Sequence, residues 1–450
     1  MSDALKKSLG LVHLAAIGLG TTIGVGWIVV TGGWILEAGP GGAALAFALG
    51  GVVMTLVGLA YAEVATRLPD ASGEYGYVTA MYGRGAGFVV GWFVLLGFVG
   101  ICCFEGLALA WLISVLMPGL AGPALYTALG SPVHVLDIAV VAGGAVFFTA
   151  VNYAGARESA RVQVIVTALK VVLSLAFIVM GLWLGASSNL APLVAPTHAP
   201  WLGVAAILVV VPAWFCGFNA LPQALAEAKT RPSRGTLAWL LISVIIGTSV
   251  FYMAVIAATA AAAPREMLAQ SELPVVTAIK AVAGPWGGRI VLITGVIALL
   301  SAWNAAMFAA SRLLFTLARD GSAPGFMARV HDTHGTPHNA VLFVGVVALG
   351  GGLMGRAFIE PLIQIGALGF AAAFVATCLV CLKLPREPHG SALVRLGAAV
   401  GVAALMCVIA LSVADMAGRG ARAEFIALLS WLCLGVVFLA TARLRARSAA

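Results

Sequence analysis

The chain has 450 residues, of which 62% are hydrophobic and 9% charged, and its mean hydropathy is +1.07. Soluble domains are about 45–50% apolar and about 25% charged. So few charges cannot cover a water-soluble protein of this size, and so apolar a chain is not disordered, which leaves a polytopic membrane protein. The net charge of +8 comes from positive residues between apolar stretches, with no basic run interleaved with aromatics. It therefore points to membrane topology and not to nucleic acid.

A spanning helix needs about 20 mostly apolar residues. In chain order this predicts twelve spans, at 11–37, 42–66, 86–116, 134–154, 159–186, 202–227, 236–262, 286–317, 339–355, 359–382, 394–414 and 424–442. The runs are too long for barrel strands, so the expected class is all-α. Lys6 and Lys7 precede an apolar run longer than a signal-peptide core. Most of the 25 Lys and Arg residues fall in segments on the side of the N-terminus. That bias predicts both termini in the cytoplasm and agrees with an even number of spans. Ala-, Gly- and Arg-rich usage suggests a bacterial inner membrane.

The seven cysteines lie in apolar stretches and read as buried thiols. Cys378-x-x-Cys381 has no second pair, so it is taken as packing. His13, His134, His198, His331, His334, His338 and His389 fall at span ends or in loops, so neither a metal nor a cofactor is expected. An intramembrane enzyme would need a catalytic dyad or metal ligands at membrane depth, and no such set is present.

Two stretches interrupt helical continuity. Span 1 contains IGLGTTIGVGWIV, with Gly18, Gly20, Gly24 and Gly26, and span 6 contains PAWFCGFNALPQ, with Pro212, Gly217 and Pro222. Proline removes a backbone donor, and glycine permits unwinding. Small residues also allow close helix packing. However, the two stretches open the two possible five-helix sets, spans 1–5 and 6–10. Five is odd, so such repeats would be inverted, and paired interruptions mark a transporter's midplane site. The expected organisation is a first repeat in residues 1–190, an inverted repeat in 191–390, and two C-terminal helices with a basic tail in 391–450.

Four segments carry a family resemblance. They are Tyr61-Ala62-Glu63 running into LPDASGEYGYVTAMYGRGAGFVVGW, NYAGARESARVQVIVTALK, GFNALPQALAEAKTRP, and SRLLFTLARDGSAPGFMARVHDTHGTP. In this order they resemble the amino acid–polyamine–organocation (APC) transporters over nearly the whole chain. The resemblance implies a leucine-transporter-type core of five plus five helices, two further C-terminal helices, and secondary transport of amino acids or amines. Its substrate positions correspond here to Gly24, Val25 and Gly26 in span 1 and to Trp214, Phe215, Cys216, Gly217, Phe218 and Asn219 in span 6. Backbone donors at the span 1 break suit a carboxylate, and freed carbonyls near Phe215, Cys216 and Phe218 suit an ammonium. Many relatives carry an acid after the Gly-aromatic pair of span 6. Here Gly217-Phe218 is followed by Asn219, which does not titrate.

Ionisable residues inside a span are expensive and functional by default. Lys170 lies within span 5, and the resemblance gives it a role in proton coupling, because some members place a lysine where sodium-coupled relatives bind the ion. Glu105 lies within span 3. It either holds a substrate amine or pairs with Lys170, although their offsets from the span starts differ by about 12 Å of depth. The expected function is secondary active transport of an amino acid or small amine, linked to protons. Sodium coupling, substrate exchange and a non-transporting sensor are the alternatives. The partners expected are the solute, protons and the lipid bilayer, with the chain as a monomer or homodimer.

Overall fold

The computed structural model describes residues 7–68, 73–195, 200–230, 232–271, 273–385, 392–418 and 420–448. The expected boundary at 390/391, and His198 and His389, lie outside them.

Span 1 comprises α1 (Leu11–Thr22) and α2 (Gly26–Val29), the latter continuing through Val30 into α3 (Thr31–Arg67). Gly39, at φ 77°, and Pro40 bend α3 where the first two spans are expected to part. The segment between the second and third spans folds as a helix, α4 (Gly73–Tyr82), ahead of α5 (Arg84–Leu116). A hairpin of β1 (Ala124–Ala128) and β2 (Ser131–His134) leads into α6 (Val135–Ala154) and α7 (Ala156–Leu184). This hairpin is a small departure from the expected all-α class. Its nine residues are mostly exposed and too few to span a membrane.

The second half repeats the pattern of an interrupted helix followed by long ones. Its elements are α8 (Pro200–Trp214), α9 (Ala220–Ala224), α10 (Arg234–Ala262), the short α11 (Arg265–Ala269) and α12 (Pro274–Arg319). Helix α12 bends at Gly284 and Pro285, so its spanning part begins near the expected position 286. Then come α13 (His338–Gly352), α14 (Ile359–Lys383), α15 (Ala392–Gly418) and α16 (Arg422–Ser448).

Among the described residues, ten helical stretches are long and apolar enough to cross a membrane. Two shorter apolar helices, Trp201–Pro212 and His338–Gly352, stand where spans 6 and 9 are expected. Helices α5 and α12 are the most enclosed, and α15 and α16 the least. A reciprocal tryptophan pair fastens the rim. Trp92 Nε1 donates to the carbonyl of Trp431 at 2.9 Å, and Trp431 Nε1 donates back to that of Trp92 at 3.0 Å. The two indoles stack at 4.8 Å, so neither N–H is left unpaired in an apolar setting.

Candidate functional site

Both interruptions are real breaks in the helices. The first occupies Ile23–Val25, and its position follows from how the chain is held there. Gly18 and Gly20 stay helical within α1, so of the span 1 glycines only Gly24 lies in the break. The second runs from Phe215 to Asn219. It depends on Gly217, whose φ of 115° is open to glycine and whose added Cβ would lie 2.6 Å from the backbone of Thr21. The two breaks therefore lie against one another.

A cavity of about 90 Å³ opens beside them. Gly24, Val25, Gly26, Trp214, Cys216 and Glu105 all line it. Helix amides in a first turn have no partner within the helix, and no backbone bond among the described residues occupies those of Gly24 and Val25. Gly26 is fixed by packing as well, since a Cβ there would fall 2.2 Å from Trp214 Cζ3. Glu105 is buried, and its Oε2 has no hydrogen-bond partner among the described residues. The remaining wall is largely apolar, with Ile101 and Phe104 of α5 and Leu362, Ile363 and Phe370 of α14.

The other span 6 residues point elsewhere. Phe215 packs against Phe47, and Phe218 lies between Tyr61 and Phe374. Neither aromatic lines the cavity, so of the three span 6 aromatics among the expected substrate positions only Trp214 does. The carbonyl of Phe218, expected to be free, accepts from Leu221 N at 3.1 Å. Gly217 and Asn219 lie behind the wall. Asn219 Oδ1 accepts from Gly217 N at 3.0 Å, and its Nδ2 donates to Glu74 at 2.7 Å.

Lys170 is fully buried outside the cavity lining. Its ammonium donates to the carbonyls of Gly20 at 3.1 Å and Ile23 at 2.6 Å and to Ser301 Oγ at 3.1 Å. Unwinding releases those carbonyls, and α7 and α12 supply the cation and hydroxyl that meet them. Among the described residues no ion pair joins Lys170 to Glu105. A chain of amides and hydroxyls continues from Ser301 to Gln163 at 3.0 Å and from Gln163 to Asn304 at 2.9 Å.

Ser8 and Leu9 donate to the carbonyl of Glu227, whose carboxylate accepts from Arg312 Nε at 2.6 Å. Trp214, Ile363 and Ala367 separate the central cavity from a second one of about 640 Å³ between α8, α14 and α15. His331, His334 and His338 surround the ring of Tyr153 at 5.2, 5.8 and 6.0 Å.

Residues 9–439 match the amino acid permease family. The chain belongs to that family. It is similar to a branched-chain amino acid permease of Bacillus subtilis, 26% identical over 90% of this chain and 87% of the relative. A methylthioribose transporter of the same organism is 28% identical over 86% of this chain and 83% of its own length. The Asc-type amino acid transporter 1 of Mus musculus is 28% identical over 75% and 63%. This permease is accordingly a multi-pass membrane transporter of the APC superfamily and not an enzyme.

Several lining residues carry no sequence signal of their own. Tyr252 and the α14 residues are ordinary apolar positions of spans 7 and 10. Gly97 and Gly100 could have been found, because they open a face of α5 just before Glu105.

Proposed function

We propose that the permease carries a neutral amino acid with an apolar side chain across a bacterial inner membrane by alternating access, linked to the movement of protons. The observation that carries this reading is the cavity shared by the two helix breaks. Its amides at Gly24 and Val25, without a backbone partner among the described residues, suit a carboxylate, the Glu105 carboxylate suits an ammonium, and its apolar wall suits an aliphatic side chain. The name of the branched-chain relative agrees with such a solute.

In this proposal twelve spans form the five-plus-five inverted repeat, with residues 1–190 and 191–390 as its halves, 391–450 as the C-terminal pair, and both termini cytoplasmic. Trp214 closes the cavity toward one side, and the Glu227–Arg312 contact closes it toward the other. Lys170 occupies the place a coupling cation would take between spans 1 and 8, and its proton is the coupled one.

Counterflow in proteoliposomes tests the substrate class. Vesicles loaded with unlabelled leucine, alanine, arginine, putrescine or methylthioribose are supplied with the labelled form of the same solute outside. Accumulation of leucine or alanine, and not of putrescine, is expected. Accumulation of putrescine or methylthioribose alone would overturn the proposed carboxylate contact, and no accumulation of any solute would favour a sensor.

A further inference from the structure

Glu74 lies on α4, outside the cavity and the spans, yet it is completely buried. Three neutral donors meet its carboxylate. Tyr61 OH at 2.9 Å and Asn219 Nδ2 at 2.7 Å reach Oε1, and Gln223 Nε2 at 2.7 Å reaches Oε2. No cation forms an ion pair with it among the described residues. A buried carboxylate without a cation is costly, and only good hydrogen bonds offset that cost.

The geometry of Asn219 gives these bonds a consequence. A side-chain amide has one accepting and one donating end. Because an ionised Glu74 can only accept, it fixes the donating end of Asn219 toward α4. The accepting end must then face Gly217 N, which it meets at 3.0 Å. Gly217 stands directly after Cys216, a lining residue, and its Cα side faces the backbone of Thr21, another lining residue.

We infer that Glu74 is a positioning residue for the substrate cavity: by orienting Asn219 it holds Gly217 in the conformation that gives the span 6 break its shape. It acts from the loop helix, through one intermediate side chain, on a site it does not touch. This inference uses the transport reading for its kinetic test, but the geometry can be read without transport.

Exchanging the two partners tests it. Asn219→Asp places a second carboxylate against Glu74 and removes the donor between them. Glu74→Gln added to that variant restores the contact with donor and acceptor reversed, while the carboxylate introduced at position 219 can still accept from Gly217 N. The first readout is the rate at which a water-soluble methanethiosulfonate modifies Cys216 in protein whose other cysteines are serine. The second is KM against Vmax for labelled leucine. Asn219→Asp should change the Cys216 rate severalfold and raise KM by about tenfold, with a smaller effect on Vmax. Asn219→Asp with Glu74→Gln should return both toward the wild type. A double variant no better than the single one, or an Asn219→Asp protein that folds with an unchanged Cys216 rate, would overturn the inference. If the wild type moves no leucine, the proposed substrate fails and the Cys216 comparison still decides the role of Glu74.

Discussion

The Lys170 ammonium stands 2.6 Å from the carbonyl oxygen of Ile23. Together with the bonds to Gly20 and Ser301, this contact sets the ammonium among two carbonyls and a hydroxyl. It also means that α7 and α12 read the shape of the span 1 break from behind, while the solute would meet the same break from the cavity. The two faces of one unwound segment thus give the coupling proposal a physical route.

The glycines of that break separate into two kinds. A Cβ at Gly24 would make an ordinary contact with Glu105 Oε1 at 3.7 Å, whereas one at Gly26 would collide with the indole of Trp214. Gly24→Ala should therefore fold like the wild type and raise KM severalfold. Gly26→Ala should lower stability by ~1–3 kcal/mol through overpacking, and Trp214→Ala in the same chain should recover it. Melting curves and KM values for the three variants check both statements. Equal melting of Gly26→Ala and the wild type would remove the packing role assigned to Trp214.

Glu105 has a buried carboxylate oxygen without a partner among the described residues. Glu105→Gln should leave the unliganded protein at least as stable, because a neutral group of the same shape replaces a buried ionisable one. It should weaken a neutral amino acid by roughly tenfold or more, the loss of one charge-assisted hydrogen bond. An amine lacking a carboxylate should lose more, since the span 1 amides give it nothing. Binding measured by substrate-dependent thermal shift distinguishes these ligands, and equal losses would assign Glu105 a role other than ammonium recognition.

Arg312 and Glu227 are both buried, and their contact joins α12 to the turn after α9. Removing one partner of such a pair leaves an uncompensated charge and costs about 3–5 kcal/mol. Glu227→Gln and Arg312→Met should each be strongly destabilising, and the double variant should be milder than the sum of the two. Thermal unfolding of the four proteins gives the coupling directly. Additive effects would show that the pair does not act as a unit.

Burial raises the pKa of Glu74 above the ordinary 4.5, while hydrogen bonds from Asn219, Tyr61 and Gln223 act in the opposite direction. An acid whose folded pKa is raised contributes stability that is present below its unfolded pKa and is lost as pH rises through the folded value. The other titratable group facing it is Tyr61 of α3. Stability should therefore fall as pH rises from about 4.5 toward neutrality, and Glu74→Gln should reduce that fall. Parallel pH–stability curves for the two proteins would contradict this.

Much of this architecture was legible because long apolar runs and paired Gly and Pro interruptions are written locally. Gly24, Glu105 and Trp214 reach the cavity; the helix interruptions and the family resemblance pointed to Gly24 and Trp214, and an ionisable residue within a span pointed to Glu105. Phe218 and Asn219 do not, although they are neighbours of Cys216, which does. Which way a side chain leaves an unwound segment depends on the dihedral angles there, and a positive φ at Gly217 has no counterpart in helical periodicity. Helix α4 and the hairpin escaped notice for another reason. Both lie in connections between the long apolar runs, and the spanning criterion does not register them.

The most direct test of the account is the response of uptake to a proton gradient. Purified protein in proteoliposomes takes up labelled leucine with and without an inward proton gradient, in the absence of sodium, as the wild type and as Lys170→Ala. Coupling through Lys170 predicts that the gradient accelerates the wild type several-fold and leaves Lys170→Ala, still able to exchange leucine in counterflow, without acceleration. A folded Lys170→Ala protein that responds to the gradient as the wild type does would contradict it, and Lys170 would then be a cation that only holds the span 1 break in place.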